Sequence, residues 1–196
     1  MSGDHAELSA AVRERALEER VIAAGLTTDA ELDEILAAAF AGSVAQGARI
    51  VARAWDDPGF AQRVLADGNA GAAELGLGTG DHGGFHYRLK VVENTPQLHN
   101  VIVCTLCSCY PTSLLGPSPS WYKSFAYRSR VVREPRAVLA EFGLALPADV
   151  EIAVWDSSAE TRYLVLPVRP AASAGMAEDA LAALVTRDGM IGTAAL

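Results

Sequence analysis

Three cysteines lie within six consecutive residues of this chain, and the sequence contains no others. They are Cys104, Cys107 and Cys109, so a Cys-x-x-Cys pair is followed by a third thiol two residues later. Scattered structural thiols do not cluster in this way, and an odd, compact set of cysteines in a chain of the reducing cytosol indicates metal or redox chemistry. The chain must therefore fold so that one short segment brings three sulfur atoms together.

The spacing of the last two cysteines restricts how they can bind a metal ion. Only Ser108 separates Cys107 from Cys109, so both sulfurs reach one ion only if the backbone between them wraps around it. The amide nitrogens of Ser108 and Cys109 then come within bonding distance, and deprotonated amides suit Co(III) or Fe(III) better than zinc. We therefore predict that Cys104, Cys107, Ser108 and Cys109 bind one ion, with an axial position open for water or a substrate.

Three other interpretations of the cysteines stay open at this point. A tetrahedral zinc site needs a fourth ligand, which His99 or His86 would have to supply. A redox dithiol of the thioredoxin kind belongs at the start of a helix and leaves Cys109 without a role. Buried, unreactive cysteines are the third interpretation, and the clustering disfavours it.

The first part of the chain has helix signals and lacks strand signals. The predicted helices are residues 6–24, a helix opened by the capping-box spacing of Thr28 and Glu31, residues 48–55 and residues 58–66, with Gly42, Gly47 and Gly68 at helix ends. A glycine-rich connection follows at residues 76–84. We predict a helical N-terminal arm over residues 1–75 and an α+β metal-binding core over residues 76–196.

Strand signals begin after the glycine-rich connection. The predicted strands are residues 86–93, 100–103, 151–155 and 163–166. One short helix is predicted to begin at Pro135, and another is predicted over residues 177–186. Runs of strands that follow a helical segment predict an α+β fold. The cysteine cluster then comes directly after a strand.

Charge and hydropathy exclude several classes of protein. The formal net charge is −8 and no basic stripe is present, which argues against nucleic-acid binding. No stretch approaches the roughly 18 apolar residues that a membrane-spanning helix needs. The first twenty residues lack the apolar region of a signal peptide. We therefore expect a cytoplasmic protein that acts neither on nucleic acid nor in a membrane.

The segment Val103–Tyr110 resembles the metal-binding loop of the nitrile hydratase α-subunit family, which includes the thiocyanate hydrolase γ subunit and the toyocamycin nitrile hydratase α subunit. The resemblance covers about residues 50–193. Other similar segments are residues 92–95, 121–124, 127–136, 155–163, 165–170 and 184–187. It implies a layered α-β-β-α core after the helical arm.

The resemblance also implies a role for each residue of the loop. Cys104 would be the axial thiolate, and Cys107 and Cys109 would be oxidised to sulfinic and sulfenic acid. Thr105 and Tyr110 resemble the cobalt type of the family, whereas the iron type prefers Ser and Thr there. The implied cofactor is therefore Co(III), with Fe(III) ranked behind it.

The activity implied by the resemblance is hydration of a nitrile to the amide, a carbon–oxygen lyase reaction, with the metal as Lewis acid. The attacking oxygen comes from a water or from the sulfenate of Cys109. Arg162 stands where the family has an arginine beside the loop, to hold sulfur oxyanions, although a surface salt bridge is an alternative. A β-type subunit would complete the site, and an activator protein would insert the cobalt. For Arg128, Arg130, Arg133 and Arg136 we expect solvated or interfacial salt bridges.

The chain departs from the family just after the loop. Thr112 and Ser113 replace a Trp-Pro pair whose tryptophan lines the substrate pocket, so we expect a wider, more polar pocket and a bulky or heteroaromatic nitrile. The alternative function is that of the thiocyanate hydrolase γ subunit, which releases carbonyl sulfide and ammonia from thiocyanate. A non-enzymatic chain that only delivers metal is the remaining possibility.

Overall fold

The computed structural model of the chain describes residues 10–39, 42–79, 87–107 and 109–196. The chain forms two compact units, one ending at Ala37 and the other spanning Ala38–Leu196. The helices are α1 (Ala10–Ala23), α2 (Asp29–Ala39), α3 (Val44–Asp56), α4 (Pro58–Ala66), α5 (Gly68–Glu74), α6 (Thr112–Leu115), α7 (Phe125–Arg130), α8 (Pro135–Glu141), α9 (Glu178–Leu184) and α10 (Arg187–Ile191). Short 3-10 helices lie at Ser120–Lys123 and Ala171–Ser173. The strands are β1 (Arg88–Glu93), β2 (Leu98–Val103), β3 (Glu151–Asp156) and β4 (Thr161–Leu166).

The first unit contains α1 and most of α2. The predicted capping box at the start of α2 is confirmed. The amide of Thr28 donates to Glu31 Oε2 at 2.8 Å, and the amide of Glu31 donates to Thr28 Oγ1 at 3.2 Å. These two reciprocal bonds satisfy amides that the first turn of a helix leaves without partners.

The second unit contains two parallel pairs of strands. β1 pairs with β4, and β2 pairs with β3 in a register that sets Val103 beside Asp156. All four predicted strands are present, and β2 begins two residues earlier than expected, at Leu98. Helices and sheets are both well represented, which confirms the predicted α+β class.

Helices α3 to α5 share the hydrophobic core of the strands. Ile50 of α3 and Phe60 of α4 are buried in the same cluster as Leu89 of β1 and Val101 of β2. The predicted arm ran to residue 75, but the compact unit that holds the sheets begins at Ala38. The amphipathic pattern of α3 is equally typical of an arm and of a core helix, because the pattern does not identify what covers the apolar face.

Two glycines predicted at helix ends play other roles. Gly47 lies inside α3, where a β-carbon would collide with the side chains of Leu115 and Met190. Gly68 begins α5, whose first turn is capped by Asp67 through a 3.0 Å bond from the amide of Ala70. Close packing and a favourable cap therefore outweigh the low helix propensity of glycine at these positions.

None of the helices in the described part of the chain is long and apolar enough to cross a bilayer.

Candidate metal centre

The cysteines lie in a loop, Cys104–Cys109, that we call the cysteine loop. It begins where β2 ends, and the amide of Ser157 binds the carbonyl of Val103 at 2.7 Å at that point. Cys104 is buried, Cys109 is half-buried and Cys107 is exposed. The loop therefore starts from the rigid interior of the molecule and turns outward to the surface.

The three sulfur atoms converge on one point. Cys104 Sγ lies 3.6 Å from Cys107 Sγ, which lies 3.2 Å from Cys109 Sγ, and all three are within 4.8 Å of one another. Sulfurs that share one ion through bonds of about 2.3 Å are ~3.3 Å apart at a right angle and ~3.8 Å apart at a tetrahedral angle. The donor set present therefore fits a single metal ion held by thiolates.

Burial raises the pKa of the Cys109 thiol to about 12, and the hydrogen bond with Cys107 acts in the same direction. The positive charge of Arg162 lowers this pKa, which places Arg162 within electrostatic reach of the sulfur. Without a metal ion the Cys109 thiol therefore keeps its proton at neutral pH. Binding of a metal would release that proton, because the thiolate is the ligand.

Three side chains from distant parts of the sequence hold the cysteine loop. Asp156, at the end of β3, accepts bonds from the Thr105 amide at 2.9 Å and the Thr105 hydroxyl at 2.6 Å. Arg128 of α7 donates to the carbonyls of Cys104, Thr105 and Leu106. The hydroxyl of Tyr122 donates to the Cys109 carbonyl at 3.0 Å. The loop is thus fixed along most of its described length.

The arginines of residues 128–136 differ from one another in their contacts. Arg130 forms the expected kind of salt bridge, with Glu134 and Glu141. Arg128 and Arg136 instead bind backbone carbonyls. Charge spacing alone does not distinguish these two uses of a guanidinium group.

Arg162, on β4, has buried nitrogens without partners in the described part of the chain. Its Nε and Nη1 atoms are shielded from solvent, and neither forms a hydrogen bond with any described residue. The guanidinium carbon lies 5.4 Å from the centre of the Tyr87 ring. Buried donors without acceptors are rare and costly, so these nitrogens are suited to an oxygen atom or an anion beside Cys109. This observation also fits a metal centre with oxidised cysteines.

Thr112 and Ser113 begin helix α6 just beyond the cysteine loop, and both are half-buried. The hydroxyls of Ser113 and Tyr87 lie 2.9 Å apart, and Tyr87 in turn stacks on Arg162. Thr112 donates to the Tyr110 carbonyl at 3.4 Å. The structure therefore connects Ser113 to Arg162 through one tyrosine, whereas the pocket-lining role of Thr112 and Ser113 stays a prediction.

The remaining metal-ligand candidates named from the sequence are three histidines and Ser108. His99 is buried, and both of its ring nitrogens have partners: Nε2 lies 2.7 Å from the Gly192 carbonyl oxygen, and Nδ1 lies 3.3 Å from the side-chain amide nitrogen of Asn94. It is therefore not available as a zinc ligand. Ser108, His82 and His86 lie outside the described residues, and the prediction of amide ligands stays a prediction. The described part of the cysteine loop is not at a helix start, which disfavours a thioredoxin-like dithiol.

Residues 8–194 match the protein-family model described as nitrile hydratase, alpha chain. The chain belongs to the nitrile hydratase α-subunit family. It is 50% identical over 184 residues to the low-molecular weight cobalt-containing nitrile hydratase subunit alpha of Rhodococcus rhodochrous, an alignment that covers 93% of this chain and 86% of that protein. The resemblance inferred from the cysteine loop is thereby confirmed.

Solved structures of the family differ in metal and in substrate. A recombinant thiocyanate hydrolase with partially modified cobalt centres matches with a TM-score of 0.90 at 42% identity, covering 96% of this chain and 90% of that one. A double mutant of the Fe-type nitrile hydratase from Comamonas testosteroni Ni1 matches with a TM-score of 0.86 at 41% identity, covering 96% and 92%. Membership of the family therefore establishes the fold, whereas these relatives differ in metal and in substrate.

Tyr87 and Asp156 are site residues that the sequence patterns did not single out, and Arg128 was expected to form a salt bridge instead of binding the cysteine loop. Asp156 directly follows a predicted strand, and the parallel pairing of β2 with β3 would have placed it beside the cysteine loop. Arg128 lies on a six-residue helix, α7, which is too short to produce a clear helical period. Tyr87 just precedes β1, and its contacts depend on the tertiary fold.

Proposed function

We propose that this chain is the metal-bearing subunit of a nitrile hydratase, which hydrates a nitrile to the corresponding amide. The observation that carries the proposal is the convergence of three cysteine sulfurs within 4.8 Å, within electrostatic reach of Arg162, whose shielded nitrogens have no partner among the described residues. Similarity to a cobalt-containing α subunit over most of the chain supports it.

The proposed cofactor is Co(III), bound by the sulfurs of Cys104, Cys107 and Cys109 and by the amide nitrogens of Ser108 and Cys109. When bound, the ion supplies a Lewis acid that polarises the nitrile. Cobalt is favoured over Fe(III) by Thr105 and Tyr110 and by the cobalt-containing relative from Rhodococcus rhodochrous. We propose that dioxygen oxidises Cys107 to sulfinic acid, a four-electron change, and Cys109 to sulfenic acid, a two-electron change, which would tune the donor strength of both sulfurs.

Cys109 and Arg162 are the proposed catalytic pair. The shielded Nε and Nη1 atoms of Arg162 would donate to the sulfenate oxygen of Cys109 and hold it in one position. That oxygen would then accept a proton from the water that attacks the nitrile carbon, or it would attack the carbon itself. In the second case a water must afterwards cleave the S–O–C link, which releases the amide and restores the sulfenate. Half-burial of Cys109 limits competing solvent around the reacting atoms.

Thr112 and Ser113 are the proposed pocket residues. A hydroxyl-bearing pair in place of Trp-Pro removes apolar wall and adds hydrogen-bonding groups next to the cysteine loop. A bulky or heteroaromatic nitrile, with a polar ring atom to bind these hydroxyls, is the substrate class that this composition favours.

A β-type subunit is the proposed partner. Leu106, in the middle of the cysteine loop, is 84% exposed, and Phe125 at the start of α7 is 80% exposed. Large apolar side chains exposed beside polar groups are typical of interaction surfaces. We also propose an activator protein for cobalt insertion, because oxidised cysteines and a trivalent ion require assembly steps that this chain does not supply alone.

Thiocyanate hydrolysis is the second candidate function. The thiocyanate hydrolase structure matches with a TM-score of 0.90, and the guanidinium nitrogens of Arg162 that no described residue binds suit a small anion. In that case the chain would be a γ-type subunit, and the products would be carbonyl sulfide and ammonia.

The deciding experiment is a substrate panel on the chain co-expressed with its β-type partner in cobalt medium. Acrylonitrile, 3-cyanopyridine and thiocyanate would be supplied separately, and amide and carbonyl sulfide would be measured. We expect amide from both nitriles, with kcat/KM higher for 3-cyanopyridine. A higher kcat/KM for acrylonitrile would contradict the proposed wide pocket. Carbonyl sulfide without amide would favour thiocyanate hydrolysis. A cobalt-loaded complex that forms neither product would favour a metal-delivery role.

A further inference from the structure

We infer that Arg128 is a positioning residue that holds the cysteine loop in its metal-binding shape before an ion arrives and tunes the sulfur of Cys104. The inference rests on the proposed function only in that the loop receives a metal ion. Its basis is a single guanidinium group that binds three consecutive backbone carbonyls of the loop.

The contacts of Arg128 fix the first turn of the cysteine loop. Its Nε atom lies 3.0 Å from the Cys104 carbonyl, and its Nη2 atom lies 2.7 Å from the Thr105 carbonyl and 2.8 Å from that of Leu106. Three successive carbonyls point to the same side only in a tightly restricted backbone conformation. Because the guanidinium is a rigid, planar fork, it selects that conformation in a way that a flexible ammonium group does not.

Arg128 also acts on Cys104 through a peptide group. The carbonyl of Leu106 accepts from Arg128, and the amide of Cys107, in the same peptide group, donates to Cys104 Sγ at 3.3 Å. A donor at the carbonyl end polarises the peptide and strengthens the N–H at its other end. The charge of Arg128 thereby strengthens a hydrogen bond to the buried sulfur, which reduces the electron density that this sulfur can give to a metal.

Asp156 completes the arrangement from the opposite side. The peptide group between Cys104 and Thr105 binds Arg128 at its carbonyl, at 3.0 Å, and Asp156 at its amide, at 2.9 Å. The two charged side chains are thus connected through the backbone of the loop. Charged side chains from outside the loop therefore bind both the carbonyl and the amide of the first peptide group of the loop.

Arg136 provides a matched control within the same chain. It lies on α8 and also binds three backbone carbonyls, those of Leu146, Pro147 and Val150, at 3.0, 2.8 and 2.6 Å. None of these carbonyls belongs to the cysteine loop. Its substitution therefore measures what is lost when an arginine releases three carbonyls without any change at the cysteines.

The experiment compares Arg128→Lys with Arg136→Lys in the full chain. Lysine keeps the positive charge but cannot span three carbonyls. In the metal-free protein, we expect Arg128→Lys to accelerate amide hydrogen exchange at Cys107 about 10-fold or more, while Arg136→Lys leaves it unchanged. With Co(II) alone as the probe, we expect Arg128→Lys to weaken binding about 10- to 100-fold and to shift the thiolate-to-cobalt absorption band. Arg136→Lys should do neither.

Equal melting temperatures of the two variants would show that global stability is matched. Unchanged exchange at Cys107, or equal effects of both variants on exchange and on the absorption band, would overturn the inference and leave Arg128 with an ordinary structural role. A wild-type chain that binds no cobalt would contradict the proposed function instead. Exchange at Cys107 decides the role of Arg128 in either case.

Discussion

At the scale of single residues, Arg162 has lost water around two nitrogens without gaining an acceptor among the described residues. If those nitrogens hold an oxygen on Cys109, replacing Arg162 by lysine removes charge-assisted bonds of fixed geometry. We expect kcat of the cobalt-loaded complex to fall about 10- to 100-fold, which corresponds to one such bond. Cobalt content, measured by plasma mass spectrometry, should stay the same because Arg162 is not a proposed ligand.

Arg88→Lys is the matched control for this substitution, since Arg88 is an exposed arginine on the neighbouring strand β1. It should leave kcat unaffected. Full activity of Arg162→Lys, or loss of its cobalt, would refute the proposed catalytic role.

Tyr87 connects Ser113 to Arg162, and its ring and its hydroxyl can be tested separately. Tyr87→Phe keeps the ring against Arg162 but removes the 2.9 Å bond to Ser113, at a cost of about 1 kcal/mol of unfolding free energy. Tyr87→Leu removes the stacking as well. Its kcat should be lower than that of Tyr87→Phe, because the ring no longer holds the guanidinium in place. Urea unfolding and steady-state kinetics measure the two effects. Equal kcat in the phenylalanine and leucine variants would exclude the role of the ring.

The residues of the site differ in how far the sequence predicts them. The cysteine spacing is local, so the convergence of sulfurs follows from the geometry of one short loop. The partners of that loop are not local, because Arg128 and Asp156 lie 22 or more residues along the chain from the loop residues that they contact. Long side chains that reach backbone carbonyls leave no periodic signal in the sequence, and only the tertiary fold brings them together.

At the scale of elements, the parallel pairing of β2 with β3 determines the site. It delivers the cysteine loop and Asp156 to the same end of one sheet. All four strands were predictable from apolar runs bounded by turn residues; these runs are mostly buried in β2 and in the second half of β4, and half-buried in β3. Helices α6, α7 and α10 have only four to six residues each, so they do not complete enough turns to show an apolar face.

His99 of β2 links the sheet to the C-terminal part of the chain through the Gly192 carbonyl. Burial lowers the pKa of His99 below its ordinary value of 6.5, and the bond to Gly192 opposes this only partly. The folded state therefore takes up a proton less readily than the unfolded chain. Stability should be constant well above this ordinary pKa and should fall as the pH drops through it.

This expectation is checked by urea unfolding of the wild type and of His99→Gln at about pH 8 and about pH 5.5. Glutamine can still donate to the Gly192 carbonyl but does not titrate. The wild type should lose more unfolding free energy between the two pH values than the variant does. Equal losses would show that carboxylates, and not His99, cause the acid sensitivity.

At the scale of the whole molecule, the sequence predicted the helical N-terminal part but not where it ends. The structure divides after Ala37, because α3 to α5 bury their apolar faces in the core of the larger unit. Hydrophobic periodicity indicates that a helix has an apolar face and not which surface covers it. Nor does hydrophobic periodicity identify which surface covers Leu106 and Phe125, whose exposure in this chain supports a partner subunit.

The central claim is that Cys104, Cys107 and Cys109 bind a single cobalt ion. Cobalt-edge X-ray absorption of the purified complex tests it most directly, because the method counts sulfur and nitrogen neighbours of the metal. We expect one cobalt per chain with three sulfur neighbours, in agreement with the three converging sulfurs, and with additional nitrogen neighbours from the loop backbone. A cobalt shell without sulfur, or zinc in place of cobalt at these cysteines, would contradict it.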